Sequence, residues 1–257
     1  MDSDELVQYH IQLKEGDVGR YVLLPGDPGR CQQIANYFDD PCEIAQNREY
    51  TSCVGTLHGE RVAVVSTGIG CPSAAIAMEE LIKIGADTFI RVGTSGGMQP
   101  ETKTGDIAIV TAAIRDEGTT SHYLPMEFPA VADLDVVNAL REGAEKLSLP
   151  YQVGVTQSKD SFYGEVESAR MPLASHLDAR WKAWVQGGAI CSEMEAAAIF
   201  IIASIHRVRA GGVMMMVCTG EGLPEDEEGK DLFHGDRAIQ TAIEGLKILI
   251  DRDKESQ

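Results

Sequence analysis

Arg30 and Arg91 each stand beside a glycine-rich stretch, a pairing of residue types suited to holding an oxyanion. In Pro25-Gly-Asp-Pro-Gly-Arg30, backbone N–H groups and a guanidinium can converge on one ligand. Arg91 stands just before Gly93-Thr-Ser-Gly-Gly97, where Thr94 adds a hydroxyl and an N–H. A guanidinium grips phosphate oxygens in a planar, bidentate manner. The same arginines would also serve as surface or ion-pair residues, and the residues alone leave both readings open. Ser192-Glu-Met-Glu195 supplies the second candidate group. On a helix, residues two apart are rotated by roughly 200°, so the two carboxylates would not share a face. In an extended or turning segment both can point at one ligand. As a helix start they would instead complement the dipole of the apolar run behind them.

Gly93-Thr-Ser95-Gly-Gly97 also matches Gly-x-Ser-x-Gly, the nucleophile elbow, which must follow a strand and open into a helix. Residues 98–105 read as loop, followed by another strand, so serine hydrolase chemistry is not expected. No Gly-x-x-x-x-Gly-Lys-Ser/Thr motif occurs, and no Gly-x-Gly-x-x-Gly follows the first strand.

The elements that must position these residues alternate along the chain. Hydrophobic patterning predicts strands over 20–24, 51–57, 60–66, 88–92, 106–114, 151–157 and 213–218, with a hairpin turning at His58-Gly59. It predicts helices over 72–84, 133–147, 193–206 and 237–252, the first opening at Pro72 and the second capped by Asp133. Alternation from end to end indicates an α/β chain with a central mixed sheet. Its 257 residues fit one domain, 1–257. Residues 219–236, rich in glycine and acid, read as a mobile loop or lid within it.

Composition narrows the function class. Apolar residues make up 44% and charged residues 24%, as in a globular protein. Lys and Arg total 22 against 40 Asp and Glu, and the resulting charge of −18 opposes nonspecific binding to nucleic acid or anionic membrane. No apolar run reaches the roughly 18 residues of a membrane span. The acidic Met1-Asp-Ser-Asp-Glu5 lacks the pattern of a signal peptide, so a cytoplasmic location is expected. Cysteines 31, 42, 53, 71, 191 and 218 form no CxxC pair and are expected to be free thiols. His58, His122, His176, His206 and His234 are expected to be structural or surface residues.

Ser66-Thr-Gly-Ile-Gly-Cys-Pro-Ser-Ala-Ala-Ile-Ala-Met-Glu-Glu-Leu81 resembles the signature of the nucleoside phosphorylase family. Pro25-Gly-Asp-Pro28, Arg91-Val-Gly-Thr94 and Ser192-Glu-Met-Glu195 lie where that family places its other motifs. The resemblance covers nearly the whole chain and is strongest to the uridine phosphorylase branch. It implies a single α/β domain around a mixed, barrel-like sheet flanked by helices. It also implies a hexamer, a trimer of dimers with active sites shared across each dimer. The implied reaction is phosphorolysis in nucleotide salvage, giving uracil and ribose 1-phosphate, with inorganic phosphate as co-substrate and no organic cofactor.

The resemblance assigns roles as well. Gly26, Arg30, Arg91 and Thr94 would hold phosphate, joined by Arg48 from the neighbouring subunit. Glu195 would bind the ribose 2′- and 3′-hydroxyls beside Met194 and Glu193, and His10 would reach the 5′-hydroxyl in the adjacent subunit. Phe162 would pack on sugar or base. Glu49, Ile69 and Ser73 match positions that hold a monovalent cation, potassium, at the dimer interface in some members. Arg30, Arg91, Arg170 and Glu195 form the implied catalytic set.

Two departures stand out. The branch reads uracil with a Gln and an Arg; here Arg170 supplies the arginine and Glu165 occupies the Gln position. An ionised carboxylate accepts from uracil N3–H and repels O2, which opens the reading of an altered base preference. The stretch Cys218-Thr-Gly-Glu-Gly222 carries neither the Asn-x-x-Arg-like pattern of pyrimidine relatives nor the Ser-Asp of purine ones. That argues against a purine enzyme and leaves a nucleoside-binding, catalytically weak relative as a further alternative.

Overall fold

The computed structural model describes residues 6–218 and 235–256. The first half of the chain forms β1 (Tyr21–Pro25), α1 (Gly29–Ala35), β2 (Asp39–Asn47), β3 (Tyr50–Leu57), β4 (Glu60–Val65), α2 (Cys71–Lys83), β5 (Thr88–Gly97) and β6 (Ile107–Asp116). The second half adds β7 (Ala130–Val131), α3 (Leu134–Lys146), β8 (Tyr151–Lys159), α4 (Phe162–Val166), α5 (Ala174–Gln186), β9 (Cys191–Glu193), α6 (Ala196–His206), β10 (Arg209–Cys218) and, as α7, Asp236–Glu255. All but the last two residues of the predicted lid, together with His234, lie outside the described residues. Asp236 opens α7.

Along one side, β5 runs parallel to β10 from Thr88 to Gly96. On its other side it changes partner, from β1, parallel up to Val92, to β9, antiparallel at Gly96 and Gly97. From β9 the sheet continues through β8, β6 and β10 back to β5, closing a five-stranded mixed ring. β1, β4, β3 and β2 extend from β5 as an arm, and β7 pairs with β6. Residues 93–95 therefore sit in the fork where β1 leaves and β9 arrives. In open α/β sheets such a switch point is where ligands collect.

Helices cover both faces of the sheet. Along β1, Tyr21 and Leu23 join an apolar cluster with Ile34 of α1, Leu140 of α3 and Leu246 of α7. Val22 and Leu24 join the opposite cluster, with Met78 of α2 and Phe200 of α6. This is the period-two alternation of a strand buried on both sides, which reads in sequence as an almost continuous apolar run. Residues Ala196 to Ala203 of α6 are all buried, so that helix is apolar all round.

Several local predictions correspond closely to the structure. His58 and Gly59 have φ of 49° and 78°, the left-handed pair that closes a two-residue hairpin between β3 and β4. The Asp133 carboxylate accepts from the N–H groups of Asp135 and Val136 at 3.0 and 3.2 Å, capping α3. The six cysteines are free thiols, and burial raises the thiol pKa of Cys31 to about 12 and that of Cys53 to about 11.

Three assignments change. Gly93–Gly97, expected to be a turn, continues β5 as strand, because those glycines provide clearance. A Cβ on Gly97 would stand 2.4 Å from Thr102 Cγ2. The helix expected from Glu193 begins at Ala196, and Glu193 ends β9. Gly29–Arg30, to which the patterning assigns no element, opens α1. With strand in place of a helix after Ser95, the elbow is absent and the serine is simply buried.

Arg115, near the end of β6, organises the connection that follows. Its guanidinium donates to Thr120 Oγ1 at 2.9 Å and to the carbonyls of Thr120, Leu124, Pro125 and Phe128 at 2.5–2.9 Å. All five of its N–H donors are satisfied. Arg115→Met should destabilise the protein by about 2–4 kcal/mol, because it orphans buried acceptors. Urea denaturation measures this, and an unchanged midpoint would show that the connection holds itself.

Candidate active site

A cavity of about 1600 Å³ opens at the C-terminal ends of β1, β5, β8 and β10. It is larger than the roughly 300–1,000 Å³ of a typical small-molecule site. Arg91 lies in its floor, 5% exposed. Its Nη1 donates to the Leu24 and Val92 carbonyls at 3.3 and 3.4 Å, and its Nη2 donates to Glu195 Oε2. Its Nε is buried with no hydrogen-bond partner among the described residues and stands 3.8 Å from Glu193 Oε2. Two glycines bracket the guanidinium. A Cβ at Gly26 would lie 3.4 Å from Nη1, and one at Gly93 would lie 3.0 Å from Nη2.

Arg30 lines the same cavity from the first turn of α1. Burial, followed by repulsion from Arg91, lowers its pKa below the ordinary guanidinium value. Two guanidiniums close enough to repel one another, with Gly26 and Thr94 on the same wall, make a seat for a multiply charged oxyanion.

Opposite stand two carboxylates with different functions. Glu193 accepts from Ser158 Oγ at 2.5 Å and from the N–H groups of Glu195 and Ala196 at 2.8 and 3.0 Å, which closes the start of α6. Glu195 accepts from Gly70 N–H at 2.7 Å and pairs with Arg91. Glu193 thus closes the helix start, as one reading of the Ser192–Glu195 segment has it, while Glu195 is held on Arg91. The chain turns between them, and Glu193, Met194 and Glu195 all line the cavity. Burial raises the pKa of Glu193 above the ordinary carboxylate range, and the neighbouring Glu195 charge adds to this.

The remaining sequence-derived residues divide into two groups. Phe162 and Glu165 of α4 line the cavity, as do Glu49, Ile69 and Ser73, with Ser73 Oγ donating to Glu49 Oε1 at 2.7 Å. His10, Arg48 and Arg170 are not on its lining. His10 Nδ1 pairs with Glu80 at 2.6 Å, and the neighbouring Tyr9 ring carries Arg48 at 5.9 Å. Arg170, assigned to the base, pairs instead with Glu167 and lies 5.4 Å over the Tyr163 ring. The short turn after α4 brings it back onto those neighbours. Sequence reading missed Lys159, Gln157 and Asp116, which line the cavity from the ends of β8 and β6. The available signal was their place at strand ends, obscured because β8 runs two residues beyond its predicted limit.

The site thus defines a class: a cation pair for an oxyanion beside a carboxylate able to hold a polyol, set at a sheet switch point. Residues 20–250 match the model of the Phosphorylase superfamily, and the chain belongs to it. It is 46% identical to a uridine phosphorylase of Treponema pallidum (strain Nichols), over 96% of this chain and 95% of that one. It is 36% identical to a uridine phosphorylase of Escherichia coli (strain K12), over 94% and 98%. It is also 40% identical to a guanosine phosphorylase of Halorubrum lacusprofundi, over 84% and 83%.

The raised Glu193 carboxyl has a measurable consequence. The folded protein holds this proton to higher pH than the unfolded chain does, whose carboxyl titrates near 4.5. This group's contribution to stability therefore falls as pH rises from there through the raised value, and then levels. Glu193→Gln lacks that slope, so its stability relative to the native protein should improve between pH 5 and pH 8. Urea melts at both pH values test this, and equal differences would contradict it.

Proposed function

We propose that this protein is a nucleoside phosphorylase, a pentosyltransferase, with uridine as its substrate. The observation that carries this reading is the joining of Arg91, Arg30 and Glu195 in one cavity floor. A nucleosidase using water would need no paired guanidiniums there. The uridine phosphorylases to which the chain is similar supply the base.

In this mechanism Arg30, Arg91, Gly26 and Thr94 seat phosphate, and Glu195 holds the ribose 2′- and 3′-hydroxyls beside Met194. The Arg91–Glu195 ion pair opens as each arm takes its own ligand, so the substrates replace an existing pair of charges. A phosphate oxygen attacks C1′ while the C1′–N1 bond breaks and its electron pair leaves with the base. The sugar flattens toward an oxocarbenium-like state, whose charge the carboxylate and phosphate face. The proton of the hydrogen phosphate balances the departing base at N1. Positioning supplies the acceleration, with no base catalyst required.

His10 and Arg48 serve a neighbouring subunit in this reading. They lie side by side, with Asn47 Nδ2 donating to the His10 carbonyl at 2.7 Å, and both lie off the lining of their own cavity, which supports a shared site in a trimer of dimers. The carboxylate of Glu49 and the hydroxyl of Ser73 are hard oxygen donors suited to potassium, and Ile69 beside them is 78% exposed, free to meet a second subunit. No helix among the described residues is long and apolar enough to cross a membrane, which accords with a cytoplasmic salvage enzyme.

Base release from uridine, with and without inorganic phosphate, tests the proposal. Phosphate-dependent uracil formation is expected, and release without phosphate would make the protein a nucleosidase. Arg91→Ala should reduce kcat/KM by roughly 100-fold or more, in line with loss of a preorganised charge.

A further inference from the structure

One wall of the cavity carries chemistry that phosphate and ribose do not use. Lys159 ends β8 and is 7% exposed. Its Nζ donates to Ser192 Oγ at 2.5 Å and pairs with Glu165 Oε1 at 2.9 Å. Ser192 Oγ stands 3.1 Å from Glu165 Oε2 and 2.9 Å from Gln157 Oε1. The Gln157 amide is itself fixed, donating to Asp116 at 2.7 Å, and Asp116 is held by Arg180. An ammonium has three hydrogens, and two of these are placed. Among the described residues no acceptor takes the third. The wall therefore presents a hydrogen-bond donor directly beside a carboxylate acceptor.

This pair lies away from the phosphate seat. Ser192 pairs with Gly96 across β9 and β5, five residues along β5 from Arg91, which is roughly 16 Å of strand. The other cavity-lining cations are committed elsewhere. Arg30 and Arg91 face one another at the floor, and Arg180 holds Asp116.

Building on the phosphorylase reading, we infer that Lys159 and Glu165 together read the base, and that they select bases carrying a carbonyl beside a ring N–H. Lys159 donates to the carbonyl oxygen, and Glu165 accepts from the N–H. Uracil presents this edge at O4 and N3–H, and 6-oxopurines present it at O6 and N1–H. Cytosine and adenine present an amino group beside a bare ring nitrogen, so donor would meet donor and lone pair would meet lone pair. A site built around such hydrogen bonds rejects the mismatched analogue strongly, because its own buried groups are left unpaired.

The ammonium also offsets the Glu165 charge that would otherwise oppose a second base carbonyl, which answers the difficulty this residue raised in the sequence. As the glycosidic bond breaks, its electron pair enters the base and negative charge spreads onto the carbonyl oxygen. The Lys159 hydrogen bond strengthens there, and no proton changes hands at the lysine. Lys159 thus fills the catalytic place that the family resemblance implies for Arg170. The residues after Cys218 still speak from sequence against a purine enzyme, and edge chemistry adds a criterion that applies to both ring sizes.

The test is phosphate-dependent base release from uridine, cytidine, inosine and adenosine by the native protein and by the Lys159→Met, Lys159→Arg and Glu165→Gln variants. The native protein should favour uridine over cytidine, and inosine over adenosine, by at least about 100-fold in kcat/KM. Lys159→Met should lose roughly 100-fold on uridine, chiefly in kcat, with partial recovery in Lys159→Arg. Glu165→Gln, whose amide can donate, should narrow the uridine-to-cytidine ratio at least tenfold. Calorimetric binding of uracil and cytosine in phosphate buffer gives a readout that needs no turnover. Native protein that does not distinguish uracil from cytosine in either assay overturns the inference, as does a Glu165→Gln variant with unchanged preference. Base binding that prefers uracil and responds to Glu165→Gln, with no phosphate-dependent release, overturns the phosphorylase reading and leaves the base reader in place.

Discussion

A guanidinium buried in the floor of a sheet needs a counter-charge, and Arg91 organises the rest of the site through that requirement. An isolated buried charge costs several kcal/mol, so Arg91 requires Glu195. Glu195 in turn accepts from the Gly70 N–H, which fixes the approach to α2, and its backbone N–H is held by Glu193. The chain from β5 to α2 and from β9 to α6 is thereby tied around one ion pair. In the proposed phosphorolysis each substrate would find a partner already desolvated and aimed, which is the preorganisation that makes electrostatics effective in catalysis.

The sheet makes this arrangement possible by leaving a gap. A strand paired on both sides along its whole length would have no room for ligand, because its neighbours would fill the space. β5 loses β1 after Val92 and gains β9 at Gly96, and the interval is lined with small residues. The same glycines that resemble a turn in sequence are needed because Thr102, Cys218 and Arg91 pack against their backbone.

Much of the scaffold was legible because its signals are local. The left-handed His58-Gly59 pair, the Asp133 cap and the alternation of apolar runs each act within a few residues. The two arginines that meet in the cavity were legible for a similar reason, since glycines and guanidiniums adjoin in the chain. What stayed hidden depends on distant partners or weak patterns. β2 is an exposed, irregularly registered edge carrying Pro41, and none of α5 is buried, so neither leaves a clear apolar rhythm. β9 is three residues long and exists because β8 and β5 both pair with it. Arg170 looked suitable by type and order, but its guanidinium is taken up by Glu167 and the Tyr163 ring. Lys159 becomes meaningful only once Ser192 and Glu165, some 33 and 6 residues away in the chain, come together around it.

The two ends of the cavity are drawn from different parts of the chain. Gly26, Arg30, Arg91 and Thr94 come from β1, α1 and β5, whereas Gln157, Lys159, Glu165 and Ser192 come from β8, α4 and β9. The ring joins these parts by backbone pairing, through β9 on one side and through β10 and β6 on the other, and backbone hydrogen bonds tolerate a change of side chain. Such a protein is evolvable in a particular direction. Under the proposed function, the nucleophile seat can remain fixed while the opposite wall is rewritten, and one reaction can be inherited across lineages that differ in the base they release.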